Sequence, residues 1–357
     1  FNTFHIIYFL IFCFFALFVP IFLKIKKIAI INRSFAINYY TFINLFYLYN
    51  VSCRFQISSY PQDNCCVILV LVYSSSGYTA IKIRPDCERR MDMKVIVIGP
   101  RGKMGKLITQ VAASRDDMKL VAGIAPKGRD YIGMDLGTVA MTGSELGVPV
   151  TDDLAGVIDS CDVIIDFSTK EMAMEVLDLA IAHKKALVCG STGFSAEEMK
   201  RFEDAGKQIP MLYAANTSKL VNIMNKLLEL VTTTLKDEID IEILEMHDQW
   251  KKDAPSGTSK EMGEIMAHAL GKELSNIAVY GREGESPREP GTIGYHSLRA
   301  GNIPSSHTVF FGGMGERLEI THHSYNWECF ARGACDCAAY LDGKAPGFYS
   351  IKDVLGL

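Results

Sequence analysis

The stretch from Glu242 to Ser259 holds the residues best suited to chemistry. His247 stands at the end of an alternating pattern, Ile239-Asp240-Ile241-Glu242-Ile243, and an imidazole is the side chain that gives and takes protons near neutral pH. Lys251, four residues on, suits fixing a carboxylate or donating a proton. Pro255-Ser256-Gly257-Thr258 then introduces a helix predicted over 260–270, with Thr258 and Glu261 at capping-box spacing. Small residues and free amides at a helix start make a cup for an anion such as a substrate carboxylate. Taken singly, His247 also reads as a structural histidine and Lys251 as a surface charge.

A second constellation raises the case for catalysis. Immediately after a strand pattern at 94–98 comes Gly99-Pro100-Arg101-Gly102-Lys103-Met104-Gly105, opening a helix. Glycines are needed where the chain reverses sharply, where backbone approaches a pyrophosphate and where helix packs on strand. The helix start then offers N–H groups and dipole to the phosphates. The spacing is GxxGxxG, not the commoner GxGxxG, and its place at the first strand–helix joint favours a dinucleotide site over a turn that binds nothing. The second strand ends Gly123-Ile124-Ala125-Pro126-Lys127-Gly128-Arg129. No carboxylate waits there for a ribose 2′-OH, and the cations Lys127 and Arg129 suit a 2′-phosphate, so NADPH is expected over NADH. The alternative leaves both as solvated loop charges. Phe167-Ser168-Thr169 and Gly190-Ser191-Thr192-Gly193 follow later strands and are placed to line the nicotinamide end. Cys189 sits inside an apolar strand and reads as a core thiol, not a nucleophile.

These residues need a scaffold, and the pattern supplies one. Strands are predicted at 94–98, 119–125, 162–167, 186–190 and 210–214, separated by helices at 103–114, 170–183 and 195–207, the last opened by a Ser195–Glu198 capping box. Near-continuously apolar strands alternating with helices indicate an α/β, Rossmann-type parallel sheet covered on both faces. From about 219 the character changes to a long helix (221–235) and alternating strands at 239–243, 293–299, 305–311 and 316–322. That is an α+β second domain with a mixed or antiparallel sheet. The expected division is a dinucleotide domain at 91–218, a substrate and oligomerisation domain at 219–327, and a final helix from 328 that returns to the first domain.

Composition sets residues 1–90 apart. They carry nine Lys+Arg against three Asp+Glu, a local charge of +6, with 12 of the 19 Phe, one Gly and no Met. Residues 91–357 carry 28 against 38, a charge of −10. The apolar run 5–23, followed by Lys24, Lys26 and Lys27, reads at face value as a membrane helix or signal anchor. The favoured reading is a non-native extension of the kind that AT-rich upstream DNA would encode, ending before Met91. The net charge of −4 removes a whole-protein case for nucleic-acid binding. Five cysteines beyond residue 91, an odd number without zinc spacing, point to reduced thiols and a cytoplasmic protein. No metal site is expected: His322-His323 and Cys335-x-Cys337 lack spaced partners and read as strand-end or interface residues and core thiols.

The run E-I-L-E-M-H-x-x-x-K-K-D-A-P-S-G-T resembles the signature of the bacterial 4-hydroxy-tetrahydrodipicolinate (dihydrodipicolinate) reductase family. GPRGKMG, GSTGF, Ala214-Ala215-Asn216-Thr217-Ser218, PGTIGYHSLRAGNI (290–303) and GERLEITH (315–322) are similar to the same family in the same order, so the resemblance covers 93–357. It implies a Rossmann-type domain completed by the C-terminal segment, a substrate domain that builds a homotetramer, and reduction of a cyclic imine dicarboxylate by NADPH or NADH in lysine and diaminopimelate biosynthesis. By motif position His247 would be the proton donor or acceptor and Lys251 a second donor, while Gly257 and Thr258 would hold a carboxylate. Gly99 to Met104, Gly190 to Thr192 and Ala214 to Thr217 would line the cofactor. Asp248 stands where the family often has a second histidine, placing a negative group near a dianionic substrate. Leu220 replaces an expected glycine, Trp327 a frequent arginine, and Trp250 is unusual between His and Lys. These departures leave two other readings open: a related imino or keto acid reductase, or a nucleotide-sensing protein of the same fold, which would need neither His247 nor Lys251.

Overall fold

The computed structural model describes residues 52–59, 66–74, 77–83 and 93–357, so the apolar run 5–23 lies outside the described residues. Contacts divide the chain into Phe1–Cys87 and Glu88–Leu357. In the first unit β1 (Ser52–Ser59), β2 (Cys66–Ser74) and β3 (Gly77–Ile83) form an antiparallel sheet in that order.

In the second unit the apolar runs become β4 (Met93–Ile98), β5 (Met118–Ile124), β6 (Val150–Thr151), β7 (Val163–Asp166), β8 (Ala186–Cys189) and β9 (Pro210–Tyr213). With a short C-terminal strand, β15 (Gly347–Tyr349), they form a seven-stranded parallel sheet in the order β15-β9-β8-β7-β4-β5-β6. Strands covered on both faces have no wet side to alternate with, which is why these read as solid apolar runs. Val95, Val97 and Val188 face one core, with α1 (Lys103–Ala113) and α9 (Glu328–Leu341). Ile96, Ile98, Leu187 and Cys189 face the other, with α4 (Lys170–Ala182) and α5 (Ala196–Ala205). The Ser195–Glu198 capping box forms at the start of α5. Short helices α2 (Leu136–Ala140) and α3 (Leu154–Val157) lie between β5 and β7.

α6 (Lys219–Leu235) leads into a five-stranded sheet of order β11-β12-β10-β13-β14. Its strands are β10 (Asp240–His247), β11 (Ala278–Tyr280), β12 (Ile293–Arg299), β13 (Ser305–Gly313) and β14 (Glu316–Ser324). The central pairings are mixed: β10 runs parallel to β12 and antiparallel to β13. One face packs Ile241, Ile243, Tyr295, Val309 and Phe311 against α6 and α7 (Gly257–Ala269); α8 (Leu274–Ile277) adds Leu274 and Ile277 to that core. The chain closes with α9, β15 and α10 (Ile351–Leu355).

One predicted start needs correction. The catalytic-segment helix begins at Gly257, not 260, and its cap is Ser256, whose hydroxyl accepts the Ser259 N–H at 3.1 Å. Thr258 therefore lies inside the first turn and Glu261 at the start of the second. A serine one residue after proline is the better cap here because its extended backbone lets the hydroxyl reach the third amide.

Candidate active site

β10 delivers two inward side chains at its exit, Glu245 and His247, two residues apart and so on one face. Glu245 is only 1% exposed, and its Oε2 takes the Nδ1 of His247. Arg299, directly across the parallel β10–β12 ladder from His247, grips both carboxylate oxygens at 2.9 and 2.8 Å. The Ser256 N–H adds a third donor direction, 3.3 Å from Oε1. Burial alone would raise the Glu245 pKa, but hydrogen bonds from His247, Arg299 and Ser297 outweigh it and hold the carboxyl at about 2. Glu245 is thus a fixed anion that sets the tautomer and the ring orientation of His247.

Behind His247 stands His307, 2% exposed, its ring edge-on to that of His247 with centroids 5.3 Å apart. Its Nε2 meets the Ser256 hydroxyl at 3.1 Å, tying the α7 cap to β13. Burial pushes the His307 pKa down to about 3, His247 adding to the fall and the Glu245 carboxylate opposing it. His307 therefore stays neutral near neutral pH. Lys251 itself pairs with Asp253 at 2.8 Å. At the cup, a Cβ on Gly257 would meet open space. The Thr258 hydroxyl sits 3.4 Å from the Asn216 amide, which joins the cup to the loop after β9. Asn216 also accepts the Ser218 N–H, and its carbonyl accepts from Asn222.

The glycine-rich turn has the shape of a phosphate cradle. Gly99 leaves β4 with φ +67°, a conformation glycine takes without strain. A Cβ on Gly105 would lie 2.0 Å from the Gly99 carbonyl oxygen, so α1 can approach the turn only because that position is bare. Gly102 caps α1 with its backbone alone, which leaves the first amides pointing outward. Pro100 is buried and Met104 half-buried beneath the turn. Lys103 lies over the ring of Trp327, its Nζ 3.5 Å from the centroid, and the charge of Asp248 acts on it. The Trp327 contact ties the turn to the start of α9. The Asp248 carboxylate also accepts the Trp250 N–H at 2.9 Å, turning the chain away from the strand.

The other expected cofactor residues gather at the carboxyl ends of the same sheet. Ser191 is buried and donates to the Ser168 carbonyl at 3.3 Å, and a Cβ on Gly190 would overlap the Phe167 ring at 2.1 Å. Thr192 and Ala215 are exposed there, Ala214 is buried, and Thr217 donates to the Phe330 carbonyl at 2.7 Å. Arg101 ion-pairs with Asp130 at 2.6 Å and lies over the Tyr131 ring, while Lys127 and Arg129 are exposed on the loop after β5. Bare glycines, outward amides and flanking cations fit a dinucleotide phosphate. Among the described residues no three His, Cys, Asp or Glu side chains converge as a metal site would require. Cys189 is fully buried, and burial pushes its thiol pKa up.

Residues 93–217 match the family described as "Dihydrodipicolinate reductase, N-terminus", and residues 221–355 match "Dihydrodipicolinate reductase, C-terminus". The chain belongs to the dihydrodipicolinate reductase family. It is 43% identical over 265 residues to the 4-hydroxy-tetrahydrodipicolinate reductase of Hahella chejuensis, across 74% of this chain and 99% of that protein. It is 44% identical over 266 residues to the enzyme of the same name from Pseudomonas fluorescens, with the same coverages. A dipicolinate-bound dihydrodipicolinate reductase from Paenisporosarcina sp. TG-14 shares the fold, with a TM-score of 0.56 and 23% identity over 73% of this chain and 98% of that one.

For a dihydrodipicolinate reductase the departures are mild in structure. Leu220 points outward from the first turn of α6, 64% exposed, so the side chain strains nothing. Trp250 is exposed likewise. Sequence reasoning named His247 and Lys251 but missed Glu245, Arg299, His307 and Ser256 as supporting groups. A readable signal did exist for Glu245: it is a charge on the inward phase of an alternating strand, which needs a buried partner.

Proposed function

We propose that this dihydrodipicolinate reductase uses NADPH in preference to NADH to reduce 4-hydroxy-tetrahydrodipicolinate to tetrahydrodipicolinate, with His247 and Lys251 as its proton-handling pair. The observation that carries the reading is the fixed Glu245–His247 pair beside the open start of α7. The reduced nicotinamide, when bound, supplies the hydride. Glu245 takes Nδ1 of His247, which leaves Nε2 as the nitrogen that exchanges a proton with the reacting imine system. Lys251 offers a second ammonium once a substrate carboxylate competes with Asp253 for it. Gly257 and Thr258 present amides and a hydroxyl to the other carboxylate, where the helix dipole favours an anion. Asp248, next to His247 in the chain, selects against a surplus of negative charge on the substrate. Gly99, Gly102, Lys103, Ser191, Thr192 and Asn216 hold and orient the dinucleotide, and Lys127 meets the 2′-phosphate.

Two further parts of the reading concern the setting. The sheet face opposite the helices mixes Leu244, Met246, Phe310 and Leu298, the last 48% exposed, with Glu242, His296, Thr308 and Thr321. A sheet face left uncovered by helices, with apolar side chains set among polar ones, is suited to assembly with copies of itself, in keeping with a homotetramer. The cysteines at 161, 189, 329, 335 and 337 are free, in keeping with the cytoplasm. The test is oxidation of NADPH in the presence of freshly prepared dihydrodipicolinate. Turnover by the wild type and its loss by about 10²-fold or more in His247→Gln support the reading. NADPH binding without turnover by the wild type overturns it.

A further inference from the structure

We propose that Trp327 is a positioning residue for the cofactor phosphates: its indole parks the Lys103 ammonium at the mouth of the glycine-rich turn, and phosphate binding draws that ammonium off the ring. The proposal rests on the reading of the turn as the dinucleotide site.

Helices α1 and α9 lie side by side with their starts together. Lys103 is the first residue of α1 and Trp327 the residue before α9. Farther along, Cys335 reaches the Ile108 carbonyl and Asp336 pairs with Arg115 at 2.6 Å. Residues near the starts meet in the same way, and there Lys103 Nζ lies 3.5 Å from the Trp327 ring centroid. A cation at a helix start faces the positive end of the dipole and needs compensation. Among the described residues Lys103 forms no ion pair; the negative face of the indole compensates it instead. Burial lowers the Lys103 pKa and the charge of Asp248 pushes it back up, so the ammonium is held without being neutralised.

That distinction matters for binding. A carboxylate partner would have to be displaced by an incoming phosphate, whereas an aromatic face gives up the cation easily to a charged acceptor. Trp327 therefore restricts a flexible lysine to the place where a phosphate arrives and leaves its charge available. Its ring packs in turn on Phe330, with centroids 5.6 Å apart, which fixes the platform.

The chain has two tryptophans, Trp250 and Trp327, so a Trp250→Phe background isolates the one in question. In that background, titration with ADP-ribose, which carries the pyrophosphate but no nicotinamide, should shift Trp327 emission saturably, and Lys103→Met should abolish the shift. By NADPH titration, Trp327→Leu should raise Kd about 3- to 10-fold with kcat within about 2-fold, and Trp327→Phe, which keeps an aromatic face, should recover most of the affinity. In a Lys103→Met background, Trp327→Leu should change nothing further. An unchanged Kd in Trp327→Leu, or an effect that persists without Lys103, overturns the proposal. Failure of the wild type to bind NADPH would instead overturn the dinucleotide reading itself, so the two failures are distinct.

Discussion

Glu245 and Arg299 lie on neighbouring parallel strands, 54 residues apart in sequence, and meet through two hydrogen bonds of 2.9 and 2.8 Å directly behind His247. The pair orders the imidazole in a way that neither residue achieves alone. Glu245→Gln keeps the shape but replaces the acceptor with an amide that cannot satisfy both His247 and Arg299. We expect kcat to fall by about 10²-fold, within the range that oriented acid–base catalysis contributes. Steady-state kinetics with a circular-dichroism control for folding checks this; a kcat within 3-fold of wild type would remove Glu245 from the chemistry.

The same cluster sets an acid limit to stability. Glu245 has its pKa held at about 2, below its ordinary range, so its contribution is complete above about pH 4.5 and is lost as pH falls towards 2. His307 titrates at about 3 in the fold against an ordinary 6.5, so protons favour the unfolded chain below pH 6.5. Between pH 6.5 and 4.5 His307 acts without help from Glu245, at a slope of up to about 1.4 kcal/mol per pH unit. Urea midpoints at pH 8, 6.5, 5.5 and 4.5 should fall for wild type and flatten for His307→Gln. Parallel curves for the two proteins would show that His307 is not the titrating group.

Gly105→Ala tests the cradle. The added methyl would meet the Gly99 carbonyl oxygen at 2.0 Å, a backbone atom that cannot swing aside. Overpacking of this kind costs about 1–3 kcal/mol. The turn itself must shift, so NADPH affinity should drop at least 10-fold along with a lower melting temperature. Gly257→Ala is the control, since its Cβ enters open space. Substrate affinity alone should suffer there.

Cofactor choice is the fourth expectation. Lys127 is exposed on the loop after β5 with no carboxylate at the strand tip. Lys127→Ala should narrow the ratio of kcat/KM for NADPH over NADH by about 5- to 10-fold, mainly through KM for NADPH. An unchanged ratio would take Lys127 out of the 2′-phosphate site and leave Arg101 or Arg129 to account for it.

Local pattern carried much of this protein. GPRGKMG after an apolar strand, the alternating run into His247 and the Ser195–Glu198 box each depend on neighbours a few residues away, and each forms. What stayed hidden depends on long-range pairing. The register that sets His247 beside Arg299 joins strands separated by α7 and a long loop, and nothing local fixes it. His307 reads in sequence as one more strand residue, and only the fold brings its ring to Ser256 and His247. Strands of two or three residues such as β6 and β15 lie below any period that a pattern can reveal. The start of α7 is ambiguous locally because Ser256 and Thr258, two residues apart, both suit a cap.

Near the end of the chain α9 covers and β15 completes a sheet whose first strand, β4, is laid down some 250 residues earlier. While the ribosome is still working, the valine face of β4 has α1 but not α9 to shield it, and the outer edge of β9 is open. The nucleotide half thus waits, sticky and unfinished, until translation is nearly over. Growing chains of this enzyme should therefore lean on chaperones far more than the mature protein does.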